Sequence, residues 1–156
     1  MNKDDKINAW LKDLRSGKYL QGKDSMYSSQ SDSYCCLGVL SKTCADNEQI
    51  DFEELYDFNS TYTDIEDYYE SALNAREVAE ERCYQTTTVD PFVAKWLPFK
   101  NNVNKADLIV PKGLTRVVNE NFHSSVNTFL ATMNDNNVSF NKIAEIIEAN
   151  KEVFFE

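Results

Sequence analysis

Glycine and proline are scarce, at four and three residues in 156. So few exclude a collagen-like chain and a Gly/Pro-rich linker protein. No apolar run approaches the roughly 18 residues that a membrane-spanning helix requires. The opening stretch, MNKDDKINAWLKDLRSGKY, lacks a hydrophobic signal core, so the expected location is cytoplasmic. There is one histidine, His123, and the four cysteines (Cys35, Cys36, Cys44 and Cys83) contain no C-x-x-C pair. A tetrahedral zinc site is therefore not expected, nor are disulfides in that compartment. P-loop, Rossmann-glycine, H-E-x-x-H, nucleophile-elbow and EF-hand patterns are all missing, so no cofactor or metal is expected.

What the chain does have is size, rings and negative charge. Its length suffices for one domain with a real core, and nine Phe, eight Tyr and two Trp argue against disorder. Sixteen basic and 26 acidic residues leave a formal charge of −10. Such a chain would release few counterions from a phosphate backbone, so direct nucleic-acid binding is not expected. The charge is unevenly spread: residues 46–82 hold thirteen acids against two arginines, while the flanks are near neutral. Phe52, Tyr56, Phe58, Tyr62, Tyr68 and Tyr69 are interleaved with those acids. A self-repelling stretch of this kind is either a solvated face or a surface for a basic partner. Tyrosine is favoured at interfaces, which makes Glu53, Glu54, Tyr56, Asp57, Tyr62 and Asp64 the candidates for partner binding.

Ile7, Trp10, Leu11 and Leu14 recur at i, i+3, i+4 and i+7, predicting an amphipathic helix over 4–15 that stops at Ser16-Gly17. Residues 18–34 are polar and turn-rich, with SSQSDS at 28–33 expected as a loop. The apolar run from Tyr34 to Leu40 fits a buried strand or a short buried helix. Ser33 as N-cap and few β-branched residues favour a helix from about Tyr34 to Ala45, with Gly38 implying close approach to another backbone. A further helix is expected over Asp64–Cys83, with short strands at Thr86–Val89 and Leu108–Val110. Phe92–Leu97 reads as a helical turn ended by Pro98. Val126, Phe129, Leu130 and Met133 form one helical stripe; Phe140, Ile143, Ala144 and Ile147 form another. Between them Asn134-Asp135-Asn136-Asn137 tolerates turn geometry, Ser139 caps the second helix, and Val138 with Ile143 makes a hydrophobic staple. Two such helices should pack as a hairpin. The whole predicts a predominantly helical α+β fold, one compact domain over 1–156 with an acidic insertion or flap at 46–82.

Two segments carry a resemblance. WLKDLRSGKYLQGKDSM followed by YCCLGVL, and FLATMNDNNVSFNKIAEIIEAN near the end, resemble an uncharacterised family of small phage and prophage proteins. The matching positions are Trp10, Tyr19, Gln21, Gly22, Cys35 through Leu40, Asn134, Asp135, Ser139, Phe140, Ile143, Ala144, Ile147 and Glu148. They cover about a third of the chain, at its two ends. The resemblance implies an origin in a phage or prophage, hence a bacterial host cytoplasm, and no particular reaction. Small accessory phage proteins often antagonise host defences, so that is the implied context.

Two constellations compete for the chemistry. Cys35 or Cys36 near a helix N-terminus would have a lowered thiol pKa. Gln21 would then supply an oxyanion donor, His123 the base, and Asn127 or Asp135 the orienting group, in an order superficially that of papain-like enzymes. The tight Gln–Cys spacing of those enzymes is missing, and the apolar flanks point instead to buried, reduced thiols. Asn134-Asp135 either makes a turn or, at a helix junction, holds a ribose or base edge. Trp10, Tyr19 and Gln21 would complete that pocket if the two ends pack together, although a stripe position gives Trp10 to the core first. The functional expectation is non-catalytic binding that sequesters or blocks a host defence factor. Its target is a small nucleotide-like signal held by Trp10, Tyr19, Gln21, Asn134 and Asp135, or a protein whose basic nucleic-acid site the acidic surface masks. The pocket is preferred, because the family-like residues lie there. A cysteine-dependent hydrolase is the alternative from another class.

Overall fold

Asn2 opens the first helix, α1 (Lys3–Arg15), through a capping box: its side chain accepts from the Asp5 N–H, and the Asp5 carboxylate accepts from its own N–H. Asp4 and Asp5 in the first turn and Lys12 and Arg15 in the last complement the helix dipole. Ile7, Trp10, Leu11 and Leu14 are all buried, as their spacing predicts. Gly17 follows with φ of 73°, the left-handed conformation that ends helices. The structure is a computed structural model describing residues 1–59 and 89–156, with 56–59 as backbone only.

The turn-rich stretch that follows is not all loop. β1 (Leu20–Gln21), β2 (Tyr27–Ser28) and β3 (Ser33–Tyr34) form a small sheet in the order β1-β3-β2. β3 pairs parallel to β1, with Leu20 opposite Ser33, and antiparallel to β2, with Tyr27 opposite Tyr34. This pairing corrects the next helix start. Ser33 and Tyr34 are engaged in the ladder, so α2 spans Cys36–Glu48 and its N-cap is Cys35, whose sulfur accepts from the Gly38 N–H.

α2 is the hub. It packs against α1, against α3 (Phe52–Asn59), against α4 (Pro91–Trp96) and against α6 (Val126–Asp135). A helix packed by four neighbours must be apolar over most of its surface, and Cys36, Leu37, Val39, Leu40, Cys44 and Ala45 are buried accordingly, while Asp46, Asn47 and Glu48 at its end are exposed. Its buried hydroxyls are satisfied locally. Ser41 donates to the Leu37 carbonyl, and the Thr43 hydroxyl lies within bonding distance of both the Val39 carbonyl and Asp13 Oδ2.

The C-terminal hairpin is present. α6 and α7 (Phe140–Ala149) pack together, α7 also packs on α1, and Ser139 accepts from the Lys142 N–H as the predicted cap. Ahead of them lies α5 (Thr115–Asn121), which no sequence pattern announced. After Asn150, α8 (Lys151–Phe154) leads the chain back across the molecule, where Phe155 bridges to Phe99. Trp10 is stacked on Phe99 at 6.0 Å and meets Phe155 edge-on at 6.4 Å. The result is a compact, mainly helical α+β domain in which the two chain ends share one core.

Two predicted strands fare differently. Leu108–Val110 forms no strand, although Leu108 is extended; the Asn150 side chain takes the place of a neighbouring strand, accepting from the Ile109 N–H at 2.7 Å and donating to its carbonyl at 2.8 Å. Of Thr86–Val89 only Val89 is described, and it is buried without strand pairing. The predicted helix over Asp64–Cys83 lies outside the described residues. Among the described residues no helix is long and apolar enough to cross a membrane.

Candidate functional site

The ends of the chain meet at Asn134, the last buried residue of α6. Its side-chain oxygen accepts from Cys36 N at 3.1 Å and from Gln21 Nε2 at 3.0 Å, and its amide donates to the Gly22 carbonyl at 2.8 Å. Gln21 Nε2 also lies 2.8 Å from the Val138 carbonyl, and Asp135 Oδ1 accepts from Asp24 N at 3.0 Å. One asparagine thus ties β1, the first turn of α2 and the hairpin turn into one knot. Burying an amide is tolerated only when its groups are matched in this way.

Of the five residues expected to line a ligand pocket, Gln21, Asn134 and Asp135 are brought together here. Trp10 lies nearby but within the core, fully buried, its indole N–H donating to the Cys36 carbonyl at 3.1 Å. Tyr19 makes none of these bonds; its ring packs edge-on against Tyr34. The polar atoms of Trp10, Gln21 and Asn134 are therefore engaged with protein. Two clefts among the described residues, about 430 and 290 Å³, are lined by none of the five.

The thiols have the wrong surroundings for a nucleophile. Cys36 is fully buried with its sulfur directed at the Leu130 carbonyl, and Cys35 is buried against Met26. Burial raises the Cys35 thiol from 9.0 to about 11, outweighing the α2 backbone N–H groups that pull it down. Cys36 is pushed well above the ordinary range by burial and then by Cys35 and Asp135. Desolvation has beaten the helix N-terminus. His123 is exposed and accepts from Ser125 N through Nδ1, as a loop cap does. At pH 8 iodoacetamide should leave Cys35, Cys36 and Cys44 unmodified in the folded protein and label them after unfolding in urea, read by peptide mass mapping. Prompt native labelling of Cys35 or Cys36 would overturn this. The sign of the linked pH effect follows: these thiols titrate higher folded than unfolded. The Cys35 contribution to stability is whole below about pH 9 and is lost as pH climbs through its folded value of about 11.

A second locale was not singled out by sequence. Tyr19, Tyr27, Tyr34 and Phe52 form a ring ledge where the sheet meets the start of α3. Tyr34 is its centre, 5.0 Å from Tyr19, 4.8 Å from Tyr27 and 5.7 Å from Phe52 between ring centroids. Glu53 and Glu54 are exposed in the first turn of α3, beside Phe52. Tyr56 and Asp57 lie on the same helix as backbone, and Tyr62 and Asp64 lie outside the described residues.

A family profile described as a domain of unknown function (DUF8296) matches residues 1–151. The chain belongs to the DUF8296 family. No curated protein and no solved structure gives a match. The DUF8296 match runs through both ends and the acidic middle alike, so the knot and the ledge fall within one family domain. The ledge escaped sequence reading because Tyr27 and Tyr34 come from two-residue strands, which show no periodicity, while Tyr19 and Phe52 join them from outside the sheet. The one available signal was Tyr19, Tyr27 and Tyr34 recurring through a polar stretch.

Proposed function

We propose that this DUF8296 protein is a phage-encoded, non-catalytic binding protein of the bacterial cytoplasm. It blocks a host defence factor by laying an acidic, tyrosine-rich face over a basic protein site that otherwise holds nucleic acid. The observation carrying this reading is the concentration of charge: thirteen acids against two arginines in 46–82, with Glu53 and Glu54 exposed beside the ring ledge. Like charges held together are destabilising unless an opposite field meets them. The phage context rests on the resemblance of the two ends. Capture of a small nucleotide-like signal at the knot has less support, because the Asn134 side chain and the Gln21 amide nitrogen are spent on bonds within the protein. Catalysis by Cys35 or Cys36 has less still, with both thiols buried and protonated.

The test is charge reversal at Glu53, Glu54, Asp57 and Asp64, each to Lys, with native mass spectrometry of protein recovered from bacteria mounting a defence response. The expected result is a co-recovered host protein that the reversal releases at low salt, and whose nucleic-acid binding the unaltered protein inhibits. A partner retained by the reversed variant would sink the acidic face. An adduct of small-metabolite mass, released on denaturation, would move the function to the knot.

A further inference from the structure

Tyrosines placed for packing alone find a hydrogen-bond partner when their hydroxyls are covered. The Tyr19 hydroxyl is covered and bonds to nothing among the described residues. Its ring, like that of Tyr34, is only partly buried and lies against the core without joining it. Two of the protein's own cations already sit on the ledge. Lys18 Nζ is 5.5 Å from the Tyr19 ring centre, and Lys42 Nζ is 5.8 Å from that of Phe52 while also paired with Asp46 at 3.0 Å. Tyr34, between them, carries no cation among the described residues.

Two carboxylates border the rings: Asp32 accepts from the Tyr27 hydroxyl at 3.0 Å, and Asp46 pairs with the Lys42 that lies over Phe52. Burial first, then Asp13 and Asp46, raise the Tyr19 phenol to about 12; burial first, then Asp32 and Asp46, raise that of Tyr34. Both phenols stay neutral at any physiological pH, in a field of negative sign. A negative field over partly open aromatic faces is the environment that attracts a cation. Flat rings beside carboxylates discriminate further. A guanidinium stacks on the ring and presents a planar fork of N–H donors to the acids, whereas an ammonium is a hydrated point charge.

Resting on the acidic-face reading above, we infer that the Tyr19–Tyr34 ledge is the anchor of that face and receives an arginine side chain of the basic partner. The guanidinium stacks on Tyr34 and directs its N–H groups to Asp32 and Asp46. The exposed acids of α3 form the rim, which supplies steering and salt dependence, while the ledge supplies selectivity.

Octa-arginine and octa-lysine, equal in charge, are the probes, titrated onto the full chain at low salt by calorimetry. Octa-arginine should bind about three- to tenfold tighter, the range that ring stacking of one cation provides. Proton NMR should show the Tyr19 and Tyr34 ring signals shifting with octa-arginine, a measurement that needs no variant to fold. Tyr34→Leu should abolish the preference, and Tyr19→Phe, which keeps the ring, should retain most of it. Equal affinity for the two peptides with unmoved ring signals would overturn the anchor and leave the acidic face standing. If neither peptide binds and charge reversal on α3 changes nothing, the face fails and the anchor with it.

Discussion

Gly38→Ala should destabilise the protein by about 2–4 kcal/mol, the reverse of what helix propensity alone dictates. At an open helical position this change stabilises by about 1 kcal/mol, because alanine has less backbone freedom to lose. Gly38 is fully enclosed on α2, however, and a Cβ there would coincide with the Met26 carbonyl oxygen. That oxygen is held in place by the Cys35 N–H at 3.1 Å. Backbone meets backbone, so no side chain can swing aside. Either α2 retreats from the segment before β2, or the Met26–Cys35 bond breaks as the α2 cap shifts. Overpacking alone costs about 1–3 kcal/mol, and the lost bond adds about 1. Urea unfolding checks this through a lower midpoint at unchanged slope. A midpoint that rises would show that α2 and Met26 do not lie this close.

Asn134→Ala should cost about 3–5 kcal/mol. The substitution strands the buried Cys36 N–H, takes the donor from the half-buried Gly22 carbonyl, removes a partner of Gln21 and leaves a small cavity. The stranded buried N–H costs about 1–3 kcal/mol, and the lost Gly22 bond and the cavity add about 1 each. Asn134→Asp keeps both acceptor roles but loses the donor to Gly22 and places a carboxylate among buried groups, so it should also be destabilising. Gln21→Ala should cost only about 1 kcal/mol, since its side chain is partly exposed and water replaces the lost bonds. The double variant should cost less than the sum, because the two side chains share a bond. Thermal or urea unfolding of the four variants beside the unaltered protein checks the series. An Asn134→Ala variant of unchanged stability would release this residue from the knot and restore it as a candidate ligand contact.

The elements legible in sequence were those whose stabilising contacts repeat along the chain. α1 shows its stripe, its stop at Gly17 and its dipole-matched ends within fifteen or so residues, and the hairpin shows two stripes, a turn and a cap. Gly38 was legible for another reason: a glycine inside a helical apolar run has few explanations besides close contact. The start of α2 was misplaced by two residues because Ser33, a good cap by type, is held in β3 by its neighbours. At Leu108–Val110 the β-rich composition pointed to a strand, but no periodicity could say that the partner of Ile109 is the Asn150 side chain.

The same division runs through the candidate sites. Composition decided that 46–82 is acidic and that the chain carries a formal charge of −10, because those properties sum over residues regardless of arrangement. Whether Gln21 and Asn134 face a ligand or each other, whether Cys35 is activated by a helix N-terminus or silenced by burial, and whether three tyrosines form one ledge depend on contacts spanning up to 117 residues of chain. Burial and hydrogen-bond partnership are properties of pairs brought together by the core. They came into being only when α2 was enclosed and the C-terminal Phe154–Phe155 segment returned to close over Trp10.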